Sequence, residues 1–135
     1  MSDMIPFVST LTAAAEASAA GADSVTIVGR AAFAGTVTAV TYAPEANMTG
    51  HATESRTFSL VTKGTDGNGT TVIATLAMLG SVDGVDFDEK TITLSATAAD
   101  LVVADGQILA WTSTHVGSTG LADPGGLVKV VLSRS

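Results

Sequence analysis

The stretch "SRTFSLVTKGTDGNGTTVIATLAML", Ser55 to Leu79, sets two alternating segments on either side of a turn cluster. Apolar residues alternate with Thr, Ser or Lys, and β-branched residues are frequent, which is the pattern of strands with one face buried. Asp66-Gly67-Asn68-Gly69 between them supplies the turn, because Gly accepts positive φ and Asp and Asn hydrogen-bond their own backbone. The same text recurs on both sides, in "SVTIVGR", "GTVTAVTYA", "KTITLSA", "QILAWTST" and "LVKVVLSR", with Asp105-Gly106 ahead of the sixth segment. Seven short strands at close spacing predict an all-β fold, an antiparallel β-sandwich spanning residues 24–135. Only "SATAADLVVADG" is ambiguous, fitting a helical turn or a short strand.

The first two dozen residues read differently. Pro6 makes "IPFVS" extended, while "STLTAAAEASAAGADS" is Ala-rich, with Ser9 or Thr10 placed to cap a short helix and Gly21 to end one. Residues 1–23 are therefore expected to form an N-terminal arm, extended or partly helical, ordered against a partner or a neighbouring subunit. Its apolar Ile5, Pro6, Phe7 and Val8 are the candidates for anchoring, since exposed apolar groups on a mobile terminus are otherwise unfavourable. The arm does not read as a signal peptide: it lacks a basic start and carries Asp3 and Glu16.

A chain of 135 residues is long enough for one domain with its own core. That core must be built mainly from Ala and Val, since 46% of residues are hydrophobic but only 4% aromatic. Small side chains bury less area each, so a subunit interface adds much to such a fold. Six Lys and Arg stand against 13 Asp and Glu, for a net charge of −7, and the six cations are dispersed. Nucleic acid is not an expected partner, because phosphate neutralisation needs clustered cations. No apolar run reaches the length of a membrane span. The absence of cysteine excludes disulfides, thiolate catalysis and Cys-based zinc sites.

Chemical motifs are scarce. "DGVDFDEK" brings Asp83, Asp86, Asp88 and Glu89 close together, but the spacing is not that of a calcium loop, and it reads as a solvated turn. "DGNG" begins like a metal loop and fails at its twelfth position, Ala77. His51 and His115 are the two histidines, and neither sits in a catalytic or zinc-binding motif. Trp111 alternates with Leu109 and reads as core or subunit interface rather than a sugar platform, which usually needs several exposed aromatics. The expectation is a chain with no catalytic residues, no cofactor and no metal.

One segment asks for a special explanation. "HVGSTGLADPGGLVKVVLS", His115 to Ser133, places a long Gly/Ser/Thr/Pro loop before the last strand, where a hairpin needs only about two to five residues. Its glycines, Pro124 and the apolar Leu121 predict an ordered loop packed on its own sandwich or a neighbouring subunit, with Asp123-Pro124-Gly125 turning into the strand. Leu121, Asp123 and Pro124 thus join the arm as candidate contact residues.

"TGHATESRTFSLVTKG" (Thr49 to Gly64), "FDEKTITLS" (Phe87 to Ser95) and "LAWTSTHVGSTGLADPGGLVKVVLSR" (Leu109 to Arg134) together resemble small capsid decoration, or cement, proteins of tailed actinobacterial phages, also called head-fibre proteins. The resemblance covers the chain from Gly35 onward. It implies a jelly-roll sandwich that forms a homotrimer on the outer surface of the virion, assembled in the bacterial cytoplasm. There it would clamp the major capsid protein at three-fold and quasi-three-fold positions and stabilise the head, with Ile5, Pro6, Phe7, Val8, Leu121, Asp123 and Pro124 as candidate capsid or subunit contacts. A receptor- or carbohydrate-binding head-fibre or adhesin domain is the alternative.

Overall fold

The computed structural model describes residues 7–134. Every segment with a period of two is a strand. The elements are β1 (Val8–Ala15), β2 (Ser24–Arg30), β3 (Gly35–Pro44), β4 (Ser55–Gly64), β5 (Thr71–Ala77), β6 (Lys90–Thr91), β7 (Thr93–Leu94), β8 (Val102–Val103), β9 (Ile108–Val116) and β10 (Gly126–Arg134). "KTITLSA" is divided at buried Ile92, so that β6 and β7 enter different sheets. The ambiguous "SATAADLVVADG" holds both readings, a 3₁₀ turn over Ala98–Leu101 followed by β8.

Two antiparallel sheets face each other. The first runs β1-β10-β3-β6, with β8 also on β3, and the second runs β2-β9-β4-β5-β7. The chain crosses between sheets at each of its first three connections, then makes the β4–β5 hairpin that "TDGNG" encodes, and its last strand lies beside its first. In that hairpin turn Gly64 and Gly67 have φ of 70° and 87°, and the Asn68 N–H donates to Asp66 Oδ1 at 3.0 Å.

The Ala-rich run is the main departure from expectation. Residues 8–15, expected within an extended or partly helical arm outside the sandwich, are extended and form its edge strand β1, paired with β10 from Val8↔Ser133 to Ala15↔Gly126. Alanine favours helix, but short isolated helices are marginal and tertiary context overrides propensity. Here β10 offers a full edge of backbone groups, and extension turns Leu11, Ala13 and Ala15 to the core while Thr10, Thr12 and Ala14 face outward.

Between the sheets the few aromatic residues are gathered at one place. Tyr42 of β3 meets Phe58 of β4 and Trp111 of β9 at ring-centroid separations of 4.7 and 5.2 Å, and Phe58 stacks on Trp111 at 5.4 Å. Trp111 is therefore core. Val37, Val40, Leu60, Ile73, Leu109, Val128, Val130 and Leu132 fill the remaining space. Removing one ring of the trio should cost far more than any outward apolar change. Phe58→Ala is expected to lower stability by about 3–5 kcal/mol, whereas Val102→Thr, at a position 57% exposed, should stay within about 0.5 kcal/mol. Urea unfolding of the two variants checks this; equal losses would mean that the trio is not the structural centre.

Candidate interaction surface

The long loop between β9 and β10 is organised by three consecutive residues at the start of β4. Glu54 receives the N–H groups of Ser118, Thr119 and Gly120 at 3.1, 2.8 and 3.3 Å, and the hydroxyls of Ser118 and Thr119 at 3.1 and 2.6 Å. Ser55 accepts the Leu121 N–H on its carbonyl at 3.3 Å. Arg56, with no exposed surface, donates from Nε to Leu121 O at 2.7 Å, from one terminal nitrogen to Ser113 Oγ at 2.9 Å, and from the other to Ala19 O and Ala22 O at 3.2 and 2.8 Å. One guanidinium thus ties the β9–β10 loop, strand β9 and the β1–β2 connection together. The tight wrap needs Gly117, φ 96°, where a Cβ would stand 2.0 Å from Glu54 Oε2.

These groups have shifted acidities. The Thr119 hydroxyl, then the Thr119 and Gly120 N–H groups, hold the Glu54 carboxyl down to about 2 from its ordinary 4.5. Burial pushes Arg56 below its usual value, opposed by Asp123 and Asp23. Burial also pushes the Tyr42 hydroxyl up, aided by its hydrogen bond to Asp123.

The sequence-derived contact residues fall in different places. Ile5 and Pro6 lie outside the described residues. Phe7 is 58% exposed, yet its ring stands 6.5 Å from that of Phe33 and under the Arg134 guanidinium at 5.2 Å; Val8 is exposed on β1. Leu121 packs partly on the core. Pro124 is half-buried. Asp123 is 2% exposed and faces inward: its Oδ1 accepts the Tyr42 hydroxyl at 2.6 Å and the Gly125 N–H at 2.9 Å, and its backbone bridges Ser18 in both directions. The loop therefore packs on its own sandwich, and Asp123 serves the turn rather than an outer surface.

Both histidines are also engaged within the chain. His51 Nδ1 accepts the N–H groups of Thr53 and Glu54 at 3.2 and 2.9 Å. His115 Nδ1 lies 2.7 Å from Asp23 Oδ1, which also accepts the His115 N–H at 2.9 Å; these two bonds, the backbone one foremost, lower the Asp23 carboxyl. Among the described residues, no three Asp, Glu or His side chains are gathered as metal ligands would be.

Two outward features were not singled out in the sequence. On the second sheet, the cross-strand row Ile27–Ala110–Val61–Val72 runs beside Val25–Thr112–Ser59–Thr75, eight uncharged residues of which Val25, Ile27 and Val72 are 56%, 69% and 42% exposed while Ala110 and Val61 between them are buried. On the first sheet, a cleft of about 320 Å³ lies among Ala14, Ala43, Glu45, Gly126, Leu127 and Phe87. Phe87 is 79% exposed.

The sequence matches no protein-family model and no curated protein. Among solved structures, the chain is similar to one in "Structure of infectious bursal disease virus Gx strain", at a TM-score of 0.49 and 14% identity, over 96% of this chain and 32% of that one. It spans about a third of that chain's length.

Two outcomes are expected for the clamp. The amide resonances of Ser118, Thr119 and Gly120 should titrate together near pH 2. Because the folded Glu54 value lies below its ordinary 4.5, the carboxylate's stabilisation is complete above that pH and is lost as pH falls toward 2; a common midpoint near 4.5 would contradict the wrap. Arg56→Met should destabilise by about 3–5 kcal/mol by orphaning buried acceptors, and Arg56→Lys should not restore the loss, because an ammonium cannot reproduce the planar fork. Thermal melts of both variants decide the point.

Proposed function

We propose that this chain is a non-enzymatic structural protein of a virion, a decoration protein that binds as a trimer to the outer face of a major capsid protein lattice, at three-fold and quasi-three-fold positions, and stabilises the head. The observation that carries the reading is the strand order. With β1, β10, β3 and β6 or β8 in one sheet and β2, β9, β4 and β5 in the other, it supports a jelly roll, the double-sheet arrangement of two Greek keys that capsid domains use. The sequence phrases that resemble cement proteins run through β4, β6, β7, β9, β10 and the clamped loop.

The physics of the surface agrees with that role. A cement protein needs no reaction centre; it needs a fixed shape presented many times, so that modest contacts become large avidity across a trimer. It stabilises by mass action, since a ligand of the assembled shell opposes disassembly. For self-association, a chain of net charge −7 meets its copies with least repulsion across an uncharged face. The strip around Ile27 and Val25 is such a face, and its burial would supplement a core of small side chains.

Light scattering on the purified protein should give three times the chain mass, and the protein should co-sediment with undecorated shells of its virus and raise their resistance to heat. Ile27→Glu should reduce the trimer to monomers that still melt cooperatively. A monomeric wild-type protein that ignores shells would overturn the proposal, and a trimeric Ile27→Glu would move the subunit contact elsewhere.

A further inference from the structure

Phe87 breaks two local rules at once. Its φ is +60°, a backbone region that side chains other than Asn and Asp rarely occupy, and its ring is 79% exposed. The segment around it is firmly held. The Phe87 N–H donates to Pro44 O at 2.8 Å, Asp88 N–H to Val85 O at 3.1 Å, and Gly84 and Met48 exchange backbone hydrogen bonds of 2.9 Å. Asp86 N–H donates to Asn47 Oδ1 at 2.9 Å, and Asp83 Oδ1 accepts the Gly50 N–H at 2.8 Å. The loop thus presents a large apolar ring to solvent in a fixed place and in a backbone state that glycine would adopt without strain. Folding gains nothing from phenylalanine there, and a local violation without a folding gain points to function.

The surroundings indicate what the ring meets. It borders the cleft of about 320 Å³ floored by Ala14, Ala43 and Leu127, with Leu127 49% and Val85 54% exposed. Glu45 lines the cleft, and Asp86, Asp88 and Glu89 flank the ring in sequence, with Lys90 and Lys129 as the nearby cations. Lys129 is already paired with Glu89 at 2.9 Å. Glu45, Asp86 and Asp88 are left as exposed negative charge around an apolar centre. An apolar anchor within a charged rim is the anatomy of a protein contact, and the sign of the rim requires a partner carrying Lys or Arg.

We infer that Phe87 and the adjoining cleft form the shell-docking site, receiving an apolar side chain flanked by Lys or Arg on the capsid lattice. This rests on the decoration reading above. The site lies on the outer face of the first sheet, away from the strip assigned to self-association.

The test compares wild type, Phe87→Gly and Asp86→Asn/Asp88→Asn for solution mass, melting temperature and co-sedimentation with undecorated shells over a salt series. Phe87→Gly is expected to keep the trimer mass, to melt no lower than wild type, and to bind shells at least tenfold more weakly. Wild-type binding should weaken with added salt, and the double Asn variant should bind more weakly at low salt and respond less to salt. Undiminished shell binding by Phe87→Gly would overturn the inference while leaving the decoration reading intact. Loss of the trimer in Phe87→Gly would make the ring a subunit contact and overturn it too, as would Phe87-dependent binding to a glycan array with shell binding unchanged. Failure of wild type itself to bind shells would remove the decoration reading, and the docking site with it.

Discussion

A buried guanidinium ties together two of the connections that pass from one sheet of this sandwich to the other. Arg56 stands on the inward face of β4, in line with Phe58 and Leu60, where an unpaired cation would be costly. Its stability there depends on four acceptors from three separate segments, and those segments in turn are fixed because the cation cannot be left unsatisfied. The β1–β2 connection must bring the carbonyls of Ala19 and Ala22 inward, and the β9–β10 loop must bring that of Leu121. Once Leu121 is placed, Asp123 falls beside Tyr42, the turn at Gly125 follows from the Asp123 carboxylate, and β10 starts in register with β3. The long loop is therefore a folded part of the domain, built from the chain's own polar groups.

The same economy explains the core. With few aromatic side chains, the protein places three of them in contact across the inter-sheet gap, two from one sheet and one from the other. Valine, alanine, leucine, isoleucine and two methionines fill the rest, and the β-branched residues among them suit a pleated surface where each side chain packs against cross-strand neighbours. Register shifts in the β10–β3, β2–β9, β4–β5 and β4–β9 pairings bend the strands, which lets two sheets of small side chains close on each other.

How much of this was readable depended on whether the deciding signal was local. The strands that alternate Thr or Ser with Val, Ile or Leu were legible because a period of two has a direct geometric meaning. β1 was not, because "TAAA" carries more helix propensity than strand propensity and its conformation is set by the distant edge of β10. Arg56 reads as one of six dispersed cations, although its spacing with Phe58 and Leu60 in "SRTFSLVTK" puts it on the inward face. Asp123 reads as a candidate contact because its Pro-Gly neighbours describe a turn, and nothing local tells that the turn is folded under. Phe87 stayed hidden in an acidic phrase, since neither its positive φ nor its exposure has a sequence signature for a non-glycine residue.

The charged and titratable groups of the clamp are committed within the chain, and that narrows where function can reside. Glu54, Arg56, Asp123, Tyr42 and both histidines already have partners within the chain. Freedom to bind remains with the outward residues, and two of the apolar groups among them lie on opposite sheets: the uncharged residues around Ile27 and the cleft at Phe87 that Glu45 lines. A like-charged copy is best met across a surface without charge, and a cationic partner across a surface with acidic groups. Placing the two on separate faces allows both contacts to be occupied at once, which the proposed decoration role requires.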